Sequence, residues 1–375
     1  MSKGGRFEKK TSRKGKLVGI IVICMLLASV LGVVVFANSY ANDMLDEVNH
    51  VEVAKIDYSQ FPVVEEEKIQ MQAETAEVPA APAEETKAAA PTEAAKAKAA
   101  EKYSPEDFVN MLIVCKPAKE TGEEGYVTQT MVLCTLNTKS KVMTMTALEE
   151  DAYVTTPEYK GHASGQMKLN AVYNTGAKYG NGKAGSMEFM NQTLYNNFGI
   201  EVDQNFEIDF QLFAKVVNRL KDVDLELSEE EAKYLSEQTK TELKAGKVKM
   251  DGQLATEYVK MWDHEEESGV TSISGQRKMV EAIVKKIRTQ YIADLEIIVR
   301  DMLPMITTSM TRDEMKEFII SMLPMVRNLA IEKGEPCPVD GQRETVTVDG
   351  KEMEVVTFDV SKTVKAMQAL TEGKN

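Results

Sequence analysis

Hydrophobic and polar positions divide this chain into three regimes. The first is an uninterrupted apolar run from Leu17 to Ala37, LVGIIVICMLLASVLGVVVFA, twenty-one residues without a charge. A helix of that length, at about 1.5 Å per residue, reaches about 31 Å and matches a bilayer's hydrocarbon core. The apolar stretch of a cleaved signal peptide is usually about 7–15 residues, so a retained transmembrane helix is predicted over 17–37. The second regime, Gln60 to Tyr103, is rich in Ala, Glu, Lys and Pro and nearly free of large apolar residues. It cannot bury enough surface to offset the entropy of ordering, and it predicts a spacer inside a linker over 38–104. Its composition names no ligand, which favours an inert tether over a semi-rigid arm that lifts a domain off the membrane.

The third regime begins at Asp107 with short apolar runs bounded by turn residues. Asn110 to Cys115, Thr130 to Leu136 and Lys141 to Leu148 read as buried strands, and the polar Asn137 to Ser140 between the last two predicts a hairpin. Helical spacing follows. Ser186 stands before Met187, Met190 and Leu194 with Gly199 beyond them, and Asp209 stands before Phe210, Phe213, Val217 and Leu220. Ser228 and Glu231 form a capping-box pattern ahead of a helix that Gly246 would close. Between these helices, Phe206 with Ile208, and Val223 with Leu225 and Leu227, alternate as strands do. A last helix from near Ser274 places Met279, Val280, Ile283, Val284 and Ile287 on one side and ends the block near Arg288. This order predicts the α/β class, an α-β-α sandwich with a mixed sheet over 105–288.

A small α+β extension is predicted over 289–375. Met302-Leu303-Pro304-Met305 recurs twenty residues later as Met322-Leu323-Pro324-Met325, with a Thr311/Glu314 capping box between them. Two short helices broken or kinked at proline are the expected result. Six methionines (302, 305, 310, 315, 322, 325) either line an adaptable groove for a lipid tail or partner helix, or pack onto the sandwich. Alternating residues on both sides of Asp349-Gly350 predict a hairpin, and a short helix from about Ser361 closes the chain.

Charge adds orientation and excludes a class of partner. The first sixteen residues hold seven cations and one acid, a balance of +6, so the rest of the chain carries −20 of the formal −14. By the positive-inside rule, residues 1–16 form a basic cytoplasmic tail, and the chain after Asn38 lies outside a single-pass cell membrane. A body of that sign does not suit nucleic acid, whose binding rests on neutralising phosphates. Cys24, Cys115, Cys134 and Cys337 contain no C-x-x-C pair, which leaves no zinc signature. Cys115 and Cys134 fall on neighbouring strands and are either disulfide-bonded or two buried thiols.

Other constellations carry less. His50, His162 and His264 are scattered over the linker and two loops. Asp263 to Glu267 is densely acidic but lacks the alternating spacing and glycine of a calcium loop, and it reads as a solvated loop. Tyr179 to Gly185 is glycine-rich without the G-K-S/T ending of a phosphate loop, and it reads as a flexible loop before the Ser186 cap. No metal site is read from the sequence.

The order of the landmarks resembles the LytR-CpsA-Psr family. They are the strand Asn110 to Cys115, Thr130-Met131, Asp151-Ala152-Tyr153-Val154 and Lys168-Leu169-Asn170-Ala171-Val172-Tyr173, then Met250 to Val259, similar to L-D-G-x-x-A-x-x-Y-V, and Gln276 with Lys278. The similarity covers about residues 105–288, and its specificity lies in six landmarks in order. It implies a membrane-anchored, extracytoplasmic α/β domain that binds a polyprenyl-diphosphate-linked glycan and transfers it to peptidoglycan, using Arg and Asp side chains with a divalent cation, Mg²⁺ if the chain is active. By the same resemblance Asp151 is the catalytic candidate, and Lys168, Asn170, Lys260 and Arg277 are candidates for the lipid phosphate. The alternative for Lys168 and Asn170 is a structural turn, and for Asp151 a capping or turn carboxylate.

The chain departs from the family pattern at its charges. Pro117 stands where the family carries Asp, Val127 and Gln129 replace Arg-x-Asp, and Glu150 replaces the Arg beside Asp151. Lys260 and Trp262 replace Arg-x-Arg, and Ser272 and Gly275 replace the final Arg pair. One unit charge about 4 Å from another contributes about 4 kcal/mol at an effective dielectric near 20, so Arg to Glu swings the interaction by about 8 kcal/mol. The expectation is therefore a role in cell-wall glycopolymer attachment or envelope maintenance with degenerate phosphotransferase activity. A divergent active transferase and a non-catalytic module binding a lipid or protein are the alternatives.

Overall fold

The computed structural model describes residues 45–58, 107–116, 130–221, 223–261, most of 278–322, 329–348 and 350–372. The basic tail and the apolar run predicted to span the membrane lie outside the described residues. No helix among the described residues is long and apolar enough to cross a membrane.

The elements run β1 (Asn49–His50), β2 (Phe108–Lys116), β3 (Thr130–Asn137), β4 (Val142–Leu148), β5 (Tyr153–Thr156), β6 (Gly165–Lys168), α1 (Leu169–Tyr179), α2 (Gly182–Phe198), β7 (Gln204–Asp209), α3 (Phe210–Arg219), β8 (Val223–Leu227), α4 (Glu229–Thr239), β9 (Gly246–Met250) and α5 (Gly252–Met261). Then follow α6 (Ile292–Met302), β10 (Thr307–Thr308), α7 (Arg312–Met322), β11 (Ala330–Lys333), β12 (Gln342–Val348), β13 (Lys351–Thr357) and α8 (Val360–Glu372). Among the described residues the main sheet has seven strands in the order β1-β10-β7-β2-β3-β4-β11. It is mixed: β2 runs antiparallel to β3, as β3 does to β4, and parallel to β7.

The apolar runs explain why the sheet is covered on both faces. Successive side chains of a strand point to opposite sides. Met111, Ile113 and Cys115 of β2 accordingly join one core with Val132, Cys134 and Leu136 of β3, backed by Phe213 and Val217 of α3, Tyr258 of α5 and Met279 and Ile283. Leu112 and Val114 join the opposite core with Met131, Leu133, Val172, Phe189 and Leu194, so α1 and α2 back the other face. Helix, sheet and helix layers result. The β2–β3 register pairs Cys115 with Thr130 and Met111 with Cys134, so the two cysteines sit four residues apart along the ladder; Cys115, Cys134 and Cys337 are all free and buried.

Several boundaries differ from the expectations, each for a physical reason. Ser186 is no cap: it is buried inside α2, which starts at Gly182. Gly182 to Gly185 of the glycine-rich stretch form the first turn of α2, and Gly185 lets α2 approach α1, since a Cβ on it would lie 2.5 Å from the Gly176 carbonyl oxygen. The Ser228–Glu231 capping box forms as expected. Its helix ends at Lys240, which takes the left-handed conformation at φ 57°, while Gly246, at φ 108°, opens β9.

Residues on both sides of 288 share one sheet and one core. β10 pairs with β7, β11 with β4, and Met302, Met310 and Met315 are buried beside Ile283 and Ile287. For these three methionines, packing onto the sandwich is the structural outcome. Residues 45–58, inside the stretch read as linker, are also built in. Leu45 and Val48 are buried, β1 pairs with β10, and the His50 ring nitrogens lie 2.7 Å from the Met310 carbonyl and 3.2 Å from that of Leu45.

Candidate functional site

The candidate site forms just past the end of β4, on the same side of the sheet as the carboxyl ends of β2 and β7. Open α/β sheets bind ligands at that side. A tight turn follows Leu148: the Glu149 N–H donates to the Cys337 carbonyl (2.8 Å), and the Ala152 N–H donates back to Glu149 (3.1 Å). Asp151 is held from a third direction, because its carbonyl accepts the Val356 N–H of β13 at 2.8 Å.

Opposite the turn, β6 pairs with β5 and places Lys168 across from Tyr153, at the N-terminal cap of α1. The Lys168 ammonium lies 2.9 Å from Asp151 Oδ1, and the two side chains are 23% and 17% exposed. That degree of burial sets the pair apart from freely solvated surface pairs, which contribute little. Asn170, in the first turn of α1, gives its backbone N–H to the Glu150 carbonyl (3.0 Å), and the Leu169 N–H goes to Ala152 (2.9 Å). These α1 amides are thus spent on the turn itself.

A further cation arrives from a distant part of the chain. Arg343 of β12 stands 3.7 Å from Asp151 Oδ2 and 3.8 Å from Glu149 Oε1. These are ion-pair distances, too long for direct hydrogen bonds. Burial, reinforced by Asp151, pushes the Glu149 carboxyl above its ordinary range. Desolvation pulls the Arg343 guanidinium down.

Of the five candidates, the structure brings Asp151, Lys168 and the backbone of Asn170 together. Lys260 falls in the last turn of α5. Arg277 lies outside the described residues, as do Pro117, Val127, Gln129, Trp262, Ser272 and Gly275. The charge balance of the described part is acidic, with Glu149, Glu150 and Asp151 against Lys168 and Arg343. Two landmark tyrosines have structural partners in the interior. The Tyr173 hydroxyl donates to Glu207 Oε2 (2.8 Å), whose other oxygen lies 2.9 Å from the Lys183 ammonium. Tyr258 donates to Glu231 Oε1 (2.8 Å), and the Lys278 ammonium lies 2.8 Å from Oε2 of the same carboxylate. Burial pushes both phenols up. Sequence reasoning missed Arg343, because a β-hairpin reveals its own register and not the surface on which it docks.

A profile of the LytR_cpsA_psr family matches residues 70–365. The chain belongs to this family. The match extends beyond the 105–288 span of the landmarks in both directions, in keeping with β10 and β11 completing the sheet. Among curated proteins, the polyisoprenyl-teichoic acid–peptidoglycan teichoic acid transferase TagV of Bacillus subtilis (strain 168) is 25% identical over 175 residues, 44% of this chain and 42% of that protein. The corresponding TagU of Enterococcus faecalis (strain ATCC 700802 / V583) is 24% identical over 206 residues, 54% of this chain and 62% of its own length. The chain therefore spans less than two thirds of each of these relatives. Among solved structures, protein gbs0355 from Streptococcus agalactiae superposes with a TM-score of 0.51 at 18% identity, covering 73% of this chain and 91% of that one. TagT bound to LI-WTA gives 0.50 at 20% identity, covering 73% and 93%. These likenesses concern the mixed α/β fold of a LytR_cpsA_psr domain.

Proposed function

We propose that this LytR_cpsA_psr protein acts in attaching a glycopolymer to the cell wall or in maintaining the envelope, anchored by the apolar run at 17–37 with its body outside the membrane. Its phosphotransferase activity is weak or absent. The names of TagV and TagU support the process; the charge arrangement around Asp151 supports the weakness of the chemistry. A diphosphate site needs cations whose charge is directed at the ligand, and a carboxylate placed to accept a proton. Here Lys168 closes on one oxygen of Asp151 and Arg343 faces the other, so cation and carboxylate neutralise each other. That pairing is the observation that carries the reading.

The described residues do not suit Mg²⁺, which takes oxygen ligands in octahedral geometry. Among them no group of three metal-ligating side chains converges, and both Asp151 oxygens already face cations. A second reading, an active divergent transferase, draws support from Arg343, which supplies from β12 a guanidinium beside the position where the family's own Arg has become Glu150. In that reading Asp151 takes the proton, while Lys168, Asn170, Lys260, Arg277 and Arg343 hold the lipid phosphate.

The test uses the full chain in detergent, with mass spectrometry for retained polyprenyl lipid and an assay of glycan transfer with Mg²⁺. Retained lipid without turnover supports the proposal. Turnover that Asp151→Ala abolishes supports the divergent enzyme, and neither lipid nor turnover overturns both.

A further inference from the structure

Residues 45–58 form a strap that wraps the β10 edge of the main sheet and passes from one layer to the other. Leu45 and Val48 are buried in the core on the α3 and α5 face, and Asp46 Oδ1 lies 2.9 Å from the Arg312 guanidinium. The Asn49 N–H then donates to the Ile306 carbonyl (3.1 Å) and the Val51 N–H to that of Thr308 (2.9 Å). Beyond the edge, Val51 and Val53 pack against the opposite core, and the Tyr58 ring lies 4.7 Å from that of Tyr195 in α2. The Tyr58 hydroxyl fixes the end of the strap: it donates to the Val202 carbonyl (3.2 Å) and accepts the Val202 N–H (3.1 Å).

The two ends of the strap meet different stretches of chain. Upstream, only residues 38–44 separate Leu45 from the apolar run, and the eight backbone steps from Ala37 reach at most about 29 Å at about 3.6 Å each. Downstream, the stretch rich in Ala, Glu, Lys and Pro leaves from Tyr58 and returns at Asp107. Both points lie at the amino ends of the neighbouring strands β7 and β2. Tyr58 is bonded to Val202, and the next residue, Asp203, gives its N–H to the Asn110 carbonyl (2.9 Å) and accepts the Asn110 N–H on its carboxylate (2.7 Å). A stretch whose two ends are fixed at one place on the body cannot set the height of that body. As a single tether, residues 38–106 would allow about 250 Å by the same measure.

We propose that the body is fastened to the lipid bilayer through this strap, which holds its β1 edge within about 29 Å of the membrane, and that residues 59–106 are a loop carried by the body instead of the tether beneath it. The proposal rests on the reading of 17–37 as an anchor. β4, which leads into the Asp151 turn, stands five strand spacings from β1, about 24 Å at about 4.8 Å each. The strap therefore keeps the candidate site near the bilayer as well.

The experiment is proteolysis of the full chain reconstituted in liposomes, with a protease recognition sequence inserted between Ala90 and Pro91 or, in a second version, between Tyr40 and Ala41. Flotation then separates bound from released fragments. After the cut at 90, nearly all of the C-terminal fragment floats with the liposomes, because the strap still holds it; after the cut at 40, the body is released. Leu45→Asp combined with Tyr58→Ala loosens the strap, so the fragment cut at 90 leaves the membrane while the uncut variant still floats. Release of the fragment after the cut at 90 with the strap intact, its retention in the strap variant, or retention of the body after the cut at 40 overturns the proposal. An uncut chain that fails to float removes the anchor reading, and the proposal falls with it.

Discussion

Gly176→Ala should be among the more damaging single-methyl additions in this protein, and the structure gives its size. The new Cβ would lie 2.5 Å from the Gly185 carbonyl oxygen and 2.9 Å from both Phe189 Cβ and Ser186 Cα. The closest contact is about 1 Å inside the roughly 3.5–4.0 Å separation of nonbonded heavy atoms. All three atoms belong to α2, and two are backbone, so relief requires moving one helix off the other. Overpacking typically costs about 1–3 kcal/mol, and contacts with a rigid backbone argue for the upper end. Alanine returns about 1 kcal/mol of helix propensity, which leaves a net loss of about 2 kcal/mol. At about 2–4 °C per kcal/mol, the midpoint of thermal unfolding falls by about 4–8 °C. Gly165→Ala is the control, because no atom lies within 4 Å of its added Cβ and its φ is not in the left-handed region. Melting followed by circular dichroism on the full chain measures both. A Gly176→Ala protein that melts at or above the parent, or a Gly165→Ala protein that falls equally, would refute the close-packing argument. Because α1 follows directly on its cap Lys168, the displaced helix should loosen the Lys168–Asp151 pair.

Three further outcomes are expected. Ser228→Ala removes the Oγ that accepts the Glu231 N–H and should cost about 1 kcal/mol, read from denaturant midpoints; no change would mean that the capping box contributes nothing. Glu149 is held above the ordinary 4.5 by burial and Asp151, so it binds its proton more tightly folded than unfolded. Its contribution favours the folded state below pH 4.5 and is lost as pH rises through the elevated value, so Glu149→Gln should gain stability relative to the parent from there to neutrality. Parallel curves of melting temperature against pH would contradict it. Burial pushes the thiols of Cys134 and Cys337 up, so both should resist labelling by a disulfide reagent at about pH 8 until the chain unfolds; prompt labelling of the native protein would count against the described core.

Local chemistry was legible in the sequence, and tertiary pairing was not. Strands β2 to β4 could be read because residues buried on both faces leave continuous apolar runs. The box at Ser228 and the Asp349-Gly350 hairpin could be read because their partners are three or fewer residues apart. The start of α2 was hidden because Gly182 and Gly185 serve a helix contact while resembling a loop. The end of α4 was hidden because Ser236 Oγ receives the Leu243 N–H at 2.9 Å, a bond that turns the chain at a lysine with no glycine to announce it. β10 has two residues and β11 four, too few for any period to show. At the candidate site, Asp151 and Lys168 were found through the order of landmarks, whereas Arg343 reaches them only through the docking of a hairpin.

The covering of both flanks of the sheet by late segments has a consequence for how the chain is made. β7 is complete at Asp209, but the strand that covers its free edge, β10, ends at Thr308, ninety-nine residues later. At synthesis rates of about 5–20 residues per second, that edge waits roughly 5–20 s for its partner, and β4 waits longer for β11. An open edge is a template for pairing with another chain. A nascent chain of this family member is thus most vulnerable to misassembly after its sandwich has its helices and before β10 and β11 emerge, and a chain truncated in that interval would keep both edges open.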